Sequence, residues 1–494
     1  MEEQRPDPAP APLPLHTAPL DVVALVAHRL SPQDLAATRL VARAWRACFS
    51  ATVVALRPAG LGPRLRNFPN LQVLGPPRAR RRQGSLPPPP TADEELAHVA
   101  ALTGLRSLSL SLIDRATSLD PLRGLSRLTS LDASRCAVAA PSGYAALAAL
   151  TALRFLDCSG SAGFEDAALE HVTGLTRLIS LSLNASGVRG PGLSNLQPLL
   201  SLRVLALRSL HALRDVDLLN LRHLDDLEEL ELDWCRRVRG GGLGALSRLR
   251  SLRRLSLREC GLDAAGVLAI GELHGLTRLD LDCNDGVGDG GVAALRTLTA
   301  LHALSLADCP NLRGHGLAAL STLTCLQSLD LSDRAFPNSK RLSAAGFAAV
   351  GRLASLRRLD VGLCGFGDAH VSALVALTGL TYLSAHHSDD LTCAGAAALA
   401  VACPAIQHLD LHRSTYLGNQ GVAALVRLPR LQHLALHGCR GVGDPAINGL
   451  AEAATALTWL GLSDTGVRSL APLRALQHLV HVQPPCGRAQ AGTA

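Results

Sequence analysis

The chain has 494 residues, of which 48% are hydrophobic and 18% are charged. This composition is too apolar for a disordered protein, and no run of about 18 uncharged apolar residues predicts a membrane-spanning helix. The net charge is +7, but 12 basic and 8 acidic residues place +4 of it in 1–95. The remainder, with 36 basic and 33 acidic residues, is nearly balanced and lacks the basic excess of a nucleic-acid groove. We therefore expect a globular protein that binds neither a membrane nor nucleic acid.

Residues 1–17 are rich in proline and carry Glu2 and Glu3. They lack the basic segment followed by an apolar stretch that marks a secretory signal, so we expect a disordered tail. The chain contains 13 cysteines. In a chain that is not secreted these thiols should stay reduced, which predicts a cytoplasmic or nuclear location, or both.

Residues 18–57 predict three short helices and a separate small unit. The first helix begins after Pro19, and the second has Ser31 as N-cap and Pro32 at its first position. The third contains Trp45. A unit of this size is too small to bury a core of its own. It must therefore pack against the rest of the chain or against a partner.

This segment resembles an F-box through Pro19-Leu20-x-Val22, Leu30-Ser-Pro32-x-Asp34-Leu35 and Leu40-Val41-x-Arg43-x-Trp45-Arg46. The resemblance implies docking to a Skp-type adaptor, and through it to a cullin, in a ubiquitin ligase. The adaptor-binding residues that it implies are Pro19, Leu20, Val23, Pro32, Leu35, Val41 and Trp45. The alternative is a helical cap that covers the end of a repeat core. The F-box interpretation is favoured because the matching residues all fall in phase.

Residues 58–95 contain a stretch rich in proline and arginine, with Arg78 and the run Arg80-Arg81-Arg82. Such a composition predicts an extended linker. The arginines are also compatible with a nuclear-import signal. A solvated loop is the favoured interpretation.

From 96 to 480 the pattern L-x-x-L-x-L recurs in steps of 23 to 30 residues, which is the signature of a repeat protein. A half-formed copy precedes it near Leu71–Leu74, a degenerate copy follows at Leu476–Leu479, and 481–494 is predicted to be a disordered tail. We call the second leucine of each copy the central leucine. The fifteen central leucines are Leu108, Leu131, Leu156, Leu181, Leu205, Leu230, Leu255, Leu279, Leu304, Leu329, Leu359, Leu383, Leu409, Leu434 and Leu460.

Within one copy, Leu255 and Leu257 are two residues apart and so share one face of a strand. Stacking such strands in parallel buries all the leucines in one continuous core. The second half of each copy has helical spacing of apolar residues. Asp289, Asp368 and Asp444 stand where the N-caps of these helices are expected.

The fifth residue after the central leucine is small and able to form hydrogen bonds in twelve copies. We predict that it faces inward and bonds to backbone groups at the end of the strand. A disulfide between neighbours such as Cys235 and Cys260 is disfavoured in a reducing compartment. The residues at this position are Cys136, Cys235, Cys260, Cys309, Cys364, Cys439, Ser161, Ser186, Ser388, Ser414, Asn284 and Thr465.

Copies such as Leu431-Gln-His-Leu434-Ala-Leu436-His-Gly-Cys439 resemble the cysteine-containing class of leucine-rich repeats. The resemblance implies an α/β solenoid of about 15–16 repeats, shaped as a horseshoe with a parallel sheet on its concave side and helices outside. Together with the N-terminal segment, the predicted architecture is a leucine-rich-repeat solenoid with a small all-α F-box-like unit.

Two groups of residues are expected on the concave face. The first is charged, with Glu229, Glu231 and Asp233 beside Arg254 and Arg258 and then Arg278, Asp280 and Asp282; we expect mutual salt bridges. The second is unusual because aromatic residues make up only 3% of the chain. We predict that it binds the substrate protein. It comprises Tyr382, His386, His408, Asp410, His412, His433, His437 and Trp459.

A metal shared by His412 and His437 is geometrically possible because they occupy the same position in adjacent copies. No cysteine or carboxylate completes a four-ligand set, so we expect no metal and no cofactor.

The leading hypothesis for function is a substrate-recruiting subunit of a cullin–RING ubiquitin ligase of the Skp–cullin–F-box type. The chain would bind a protein substrate and would not itself be an enzyme. The alternative is a leucine-rich-repeat interaction scaffold outside the ubiquitin system. Regulation of a small GTPase is disfavoured, because the repeats are short and no matching arginine or asparagine motif is present.

Overall fold

A computed structural model describes residues 55–56, 71–74, 92–111, 116–333 and 342–485. The F-box-like segment, with Pro19, Leu20, Val23, Pro32, Leu35, Val41 and Trp45, lies outside these residues, as do the tail 1–17, most of 58–95 and 486–494. The chain divides into two compact units, Met1–Val204 and Leu205–Ala494.

Within the described residues, the first unit is built on consecutive parallel strands, joined by one α-helix and four 3-10 helices. Strands β1 and β2 lie within ranges predicted as the F-box-like unit and the linker, and Leu74 pairs in register with Leu108. The half-formed copy near Leu71–Leu74 is therefore a strand of the sheet. The strands are β1 Ala55–Leu56, β2 Val73–Leu74, β3 Ser107–Ser109, β4 Ser130–Asp132, β5 Phe155–Asp157 and β6 Ser180–Ser182; the helices are α1 Ala92–Ala100 and the 3-10 helices Asp120–Gly124, Pro141–Ala149, Asp166–Val172 and Pro191–Leu196.

In the second unit, each strand from β8 to β18 pairs in parallel with the next one along the chain. The strands are β8 Glu229–Glu231, β9 Arg254–Ser256, β10 Arg278–Asp280, β11 Ala303–Ser305, β12 Ser328–Asp330, β13 Arg358–Asp360, β14 Tyr382–Ser384, β15 His408–Asp410, β16 His433–Ala435, β17 Trp459–Gly461 and β18 His481–Gln483. Strand β7, Val204–Ala206, spans the boundary between the units.

The helical layer of the second unit changes along the chain from 3-10 helices to a mixture dominated by α-helices. The α-helices are α2 Ala264–Ile270, α3 Asp289–Ala294, α4 Ala344–Val350, α5 Asp368–Val371, α6 Cys393–Ala402, α7 Asn419–Leu425 and α8 Asp444–Ala453. The 3-10 helices are Asp215–Leu221, Leu243–Arg248, Leu295–Thr297, His315–Thr322, Ser372–Ala376 and Ala471–Ala475.

The leucine period accounts for the core. Each of the fifteen central leucines is the middle residue of a three-residue strand, β3 to β17, and none is more than 2% exposed. After the last central leucine, β18 adds one more strand, with Val482 paired to Leu460. This strand follows Leu479 of the degenerate copy and lies within 481–494, the range predicted as a disordered tail. These features confirm the predicted leucine-rich-repeat solenoid. We call the side of the sheet that faces away from the leucine core and the helices the outer face; it is the face that the sequence predicts to be concave. It carries the residues one before, one after and three after each central leucine.

Each strand ends in a left-handed turn that the sequence pattern did not reveal. The fourth residue after the central leucine has positive φ in thirteen copies, and only Gly160 and Gly438 are glycines there. Trp234, at φ 66°, is an example of a bulky residue in this conformation, which costs roughly 1–2 kcal/mol. The turn lets the backbone N–H of Trp234 donate to the carbonyl oxygen of Arg258 in the next copy, at 2.7 Å. This hydrogen bond between copies offsets the strain.

The residue after this turn forms the predicted ladder. Cys235 Sγ donates to the carbonyl oxygen of Leu207 at 3.1 Å, and Cys439 Sγ donates to that of Leu411 at 3.1 Å. Both cysteines are free and buried. Burial raises the pKa of Cys235 to about 12 and that of Cys439 to about 11. These thiols are therefore structural and unreactive at neutral pH.

The prediction that Asp289, Asp368 and Asp444 are N-caps is wrong. Each is the first residue within its helix, and the preceding residue is a glycine. Because the helix begins one residue earlier than expected, the carboxylate points to the next copy instead. Asp289 Oδ1 accepts hydrogen bonds from the backbone N–H of Gly314 at 2.9 Å and of Gly316 at 3.0 Å. These aspartates therefore join neighbouring repeats.

Among the helices that the structure describes, none is long and apolar enough to cross a membrane.

Candidate partner-binding site

The charged part of the outer face neutralises itself, as predicted. Arg254 Nη1 lies 3.0 Å from Glu229 Oε2, and Arg208 lies 2.9 Å from Glu231 and 3.2 Å from Asp233. Each pair joins adjacent strands or their ends. The carboxylates are thus already engaged by groups of the same chain.

Asp282 shows that this neutralisation is incomplete at one position. Its carboxylate is 3.8 Å from Arg258 Nη1, a long contact, while Ser305 and the backbone N–H of Ala307 donate hydrogen bonds to it. Burial, and then the neighbouring charge of Asp280, raises the pKa of Asp282 above its ordinary value. Burial outweighs the distant guanidinium, because the Asp282 side chain is only 6% exposed.

Further along the chain, the outer face carries a stack of rings. The residue just before the central leucine is paired in register from strand to strand, and in β14 to β18 it is Tyr382, His408, His433, Trp459 and His481. We call these five residues the ring column. Because strands lie about 4.8 Å apart, in-register rings on adjacent strands stack face to face.

The stack is tightest at its centre. Ring centroids are 4.3 Å apart between Tyr382 and His408, 3.8 Å between His408 and His433, and 3.8 Å between His433 and Trp459, with interplanar angles of 20° or less. His481 is looser, at 6.1 Å from Trp459. At the other end, the Arg358 guanidinium lies 3.5 Å from the centroid of Tyr382, a cation–π contact that continues the column.

A second row of rings runs parallel to the first, at the third residue after the central leucine. His386 and His412 stack at 4.4 Å and 12°. His437, at the same position in the next copy, instead meets Trp459 edge-on, with centroids 5.6 Å apart. The two rows are thus joined into one surface at Trp459.

Asp410 lies between the two rows. Its Oδ1 accepts hydrogen bonds from His412, through Nδ1 at 2.8 Å and through the backbone N–H at 3.0 Å. Burial alone would raise the pKa of Asp410, but the bonds from His412 hold it below its ordinary value. Asp410 is therefore ionised at neutral pH.

Two glycines make room for the rings. A Cβ atom on Gly461 would lie 2.2 Å from His437 Nε2 and 2.6 Å from Trp459 Cη2. One on Gly362 would lie 2.0 Å from His386 Nε2. The absence of a side chain at these two positions lets the rings lie flat against the sheet.

Two histidines of the column, His408 and His433, are uncharged at neutral pH. Burial, and then the neighbouring His408, lowers the pKa of His433 to about 4. Burial also lowers the pKa of His408 and of His437. Neutral imidazoles stack on each other without charge repulsion, so the electrostatics and the geometry agree.

The eight residues predicted for substrate binding come together on this surface. They are Tyr382, His386, His408, Asp410, His412, His433, His437 and Trp459. Five further residues of the surface were missed: Arg358, Gly362, His387, Gly461 and His481. The repeat register contains the signal for Arg358 and His481, which stand at the ring-column position of the neighbouring copies.

Comparisons with known proteins agree with this architecture. A family model described as Leucine Rich repeat matches residues 248–271 and 274–295. No curated protein matches the chain. A leucine-rich-repeat protein from Leptospira interrogans is similar in structure, with 17% identity and a TM-score of 0.50, over 78% of this chain and 91% of that chain. TLR13 in its complex with ssRNA13 is similar with 19% identity and a TM-score of 0.50, over 78% of this chain and 60% of that chain. At this identity the likenesses show the fold, a leucine-rich-repeat solenoid.

Proposed function

We propose that the outer face of β13 to β18 binds a protein partner, and that the chain is an interaction subunit rather than an enzyme. The observation that carries the proposal is the ring column, a continuous stack of aromatic and imidazole rings on an exposed face. Tyrosine and tryptophan are the residues most enriched at the centres of protein interfaces. The column holds one of the three tyrosines and one of the three tryptophans of the chain, Tyr382 and Trp459, in line with three histidines.

The rings of the column are already ordered before a partner binds. Its rings are held by their stacking neighbours, so binding a partner immobilises little that is free to rotate, and this lowers the entropic cost of association. The charged groups at its margin, Arg358 and Asp410, are of opposite sign and can orient a partner. The face therefore combines apolar contact area with polar orientation.

The F-box-like segment 18–57 extends the proposal to the whole chain. The motif residues Pro19, Leu20, Val23, Pro32, Leu35, Val41 and Trp45 would bind a Skp-type adaptor, and the adaptor would connect the chain to a cullin. The partner on the outer face would then be a ubiquitination substrate. The chemistry occurs on other subunits, so this chain contributes by holding the substrate close to them.

One pull-down tests both parts. The full chain is used as bait in a cell lysate supplemented with a purified Skp-type adaptor, and the captured proteins are identified. Two double variants are compared with it, Leu20→Ala with Trp45→Ala and Tyr382→Ala with Trp459→Ala. We expect the first variant to lose the adaptor and keep the outer-face partner. We expect the second to keep the adaptor and lose the partner.

Adaptor capture by the wild type that the first variant leaves unchanged would contradict the F-box role. If the wild type captures no adaptor but the second variant alone loses a partner, the chain is a scaffold outside the ubiquitin system. Equal partner capture by all three proteins would contradict the outer-face site itself.

A further inference from the structure

Three histidines come together at the edge of the ring surface, and two of them, His386 and His412, also belong to the predicted substrate-binding residues. One nitrogen from each of His386, His387 and His412 can be chosen so that all three lie within 4.8 Å of one another. His386 is 9% exposed, and the other two are partly exposed. We propose that these three side chains bind one divalent transition-metal ion, with Zn²⁺ as the best-matched species. This site does not depend on the proposed partner.

The left-handed turn is what brings the third histidine into the cluster. His387 has φ 53°, and its backbone N–H donates to the carbonyl oxygen of His412 at 2.8 Å. Its ring therefore stands roughly perpendicular to the other two, at 74° to His386 and 77° to His412, with centroids 5.8 and 5.7 Å away. In an extended strand, two consecutive side chains would point to opposite faces.

The chemistry of the set matches zinc. Imidazole nitrogen suits Zn²⁺, and three histidines with an open fourth position for water or a partner's group is an established zinc arrangement. Asp410 Oδ1 lies 2.8 Å from His412 Nδ1, which places the proton on Nδ1 and leaves Nε2 to bind the metal. A carboxylate behind a ligating histidine in this way fixes the orientation of the ring and strengthens the metal bond.

The local charges are mixed. Burial, and then His412 and Arg413, lowers the pKa of His387, while Asp389 opposes this. Arg413 disfavours a cation nearby, and the ionised Asp410 offsets it.

One rearrangement is required. The His386 and His412 rings are nearly parallel, so both cannot direct a lone pair at one ion until at least one of them rotates about its Cβ–Cγ bond. Rotation breaks the stack between His386 and His412 and allows both rings to bind the same ion.

The test is Zn²⁺ binding by the full chain, measured by calorimetry after removal of metal with a chelator. All proteins carry Cys325→Ser and Cys393→Ser, which remove the two thiols that are exposed among the described residues. We expect the parent to bind one Zn²⁺ at this site. His387→Asn and His412→Gln should weaken binding at least 100-fold, and Asp410→Asn roughly 10-fold.

His437→Gln is the matched control, because His437 occupies the position of His412 in the next copy and lies outside the set. It should bind Zn²⁺ as the parent does, and Zn²⁺ should raise the melting temperature of both. If His412→Gln does not fold, His387→Asn provides the test, because the His387 ring is not part of the stack between His386 and His412. A parent that binds no Zn²⁺ at ten-micromolar metal, or a folded His387→Asn that binds it equally well, overturns the proposal.

Discussion

The outer face of the second unit satisfies its side chains in two different ways. Around β8 to β10 it is charged, and pairs such as Arg254–Glu229 bridge adjacent strands. Around β14 to β17 it is built of rings, stacked at 3.8 to 4.3 Å. The central leucines are buried at strand centres in both regions, so the difference between the two faces comes from the outward residues.

The comparison shows why similar scaffolds differ in what they offer a partner. In the charged region, the carboxylates and guanidinium groups engage one another, and a ligand would have to compete with bonds that already exist. In the ring region, stacking uses the ring faces but leaves the ring edges and one side of the surface exposed. The ring region is thus both ordered and available, which is what a binding site requires.

The largest expected effect comes from closing the space beneath the rings. Gly461→Ala places a Cβ atom against His437 and Trp459, so we expect a loss of about 1–3 kcal/mol in the free energy of unfolding. Gly244→Ala, in the 3-10 helix Leu243–Arg248, meets nothing within 4 Å and should be neutral or stabilising by about 0.4–1 kcal/mol. Urea unfolding of both variants measures the difference. Equal midpoints would show that the rings do not depend on Gly461.

Acidification should lower the stability that His433 contributes in the ring region and raise the stability that Asp282 contributes in the charged region. The folded pKa of His433 is lowered to about 4 from an ordinary 6.5, so its stabilisation is complete above pH 6.5 and is lost as the pH falls through 4. The folded pKa of Asp282 is raised, so its contribution is greatest below its ordinary 3.8 and is lost as the pH rises through the folded value.

Thermal unfolding between pH 7 and pH 4 checks both signs. His433→Gln should lose stability less steeply than the wild type on acidification, by about 1 kcal/mol after allowance for solvent screening of a half-buried ring. In Asp282→Asn, acidification should not give the increase in stability that the wild type obtains when Asp282 is protonated. If stability changed with pH in the same way in all three proteins, the lowered pKa of His433 and the raised pKa of Asp282 would both be contradicted.

The smallest effect is expected for a single ion pair. Arg254 and Glu229 are 55% and 27% exposed in their side chains, so Arg254→Ala should cost about 0.5 kcal/mol. The cost should shrink as NaCl is added, because salt screens exposed charges. A cost well above 1 kcal/mol that salt leaves unchanged would mean that the charged region is a cooperative network.

The sequence predicts the repeat architecture well, because its leucine period is regular. All fifteen central leucines fall at strand centres, and the ladder at Cys235 and Cys439 forms as expected. The left-handed turn could not be predicted, since residues such as Trp234 and Leu363 occupy it where a propensity argument expects glycine. The error at Asp289 arose from a shift of one residue at the helix start, which periodicity does not resolve.

The candidate site was predicted by register but not by geometry. Counting from each central leucine places Tyr382, His408, His433 and Trp459 on one line. Whether their rings stack depends on rotamers and on the space left by Gly461, neither of which a pattern specifies. His387 was missed because an alternating strand would turn it away from His386, and only the positive φ brings it back.

Partner affinity of the Trp459→Ala chain tests the central claim most directly. With the outer-face partner purified, its Kd is measured for the wild type, Trp459→Ala and Arg254→Ala. We predict a weakening of about 30-fold for Trp459→Ala, the effect of losing a 2 kcal/mol hot spot, and less than twofold for Arg254→Ala. Equal affinities for the wild type and Trp459→Ala, or a larger loss in Arg254→Ala, would contradict the assignment of binding to the ring column.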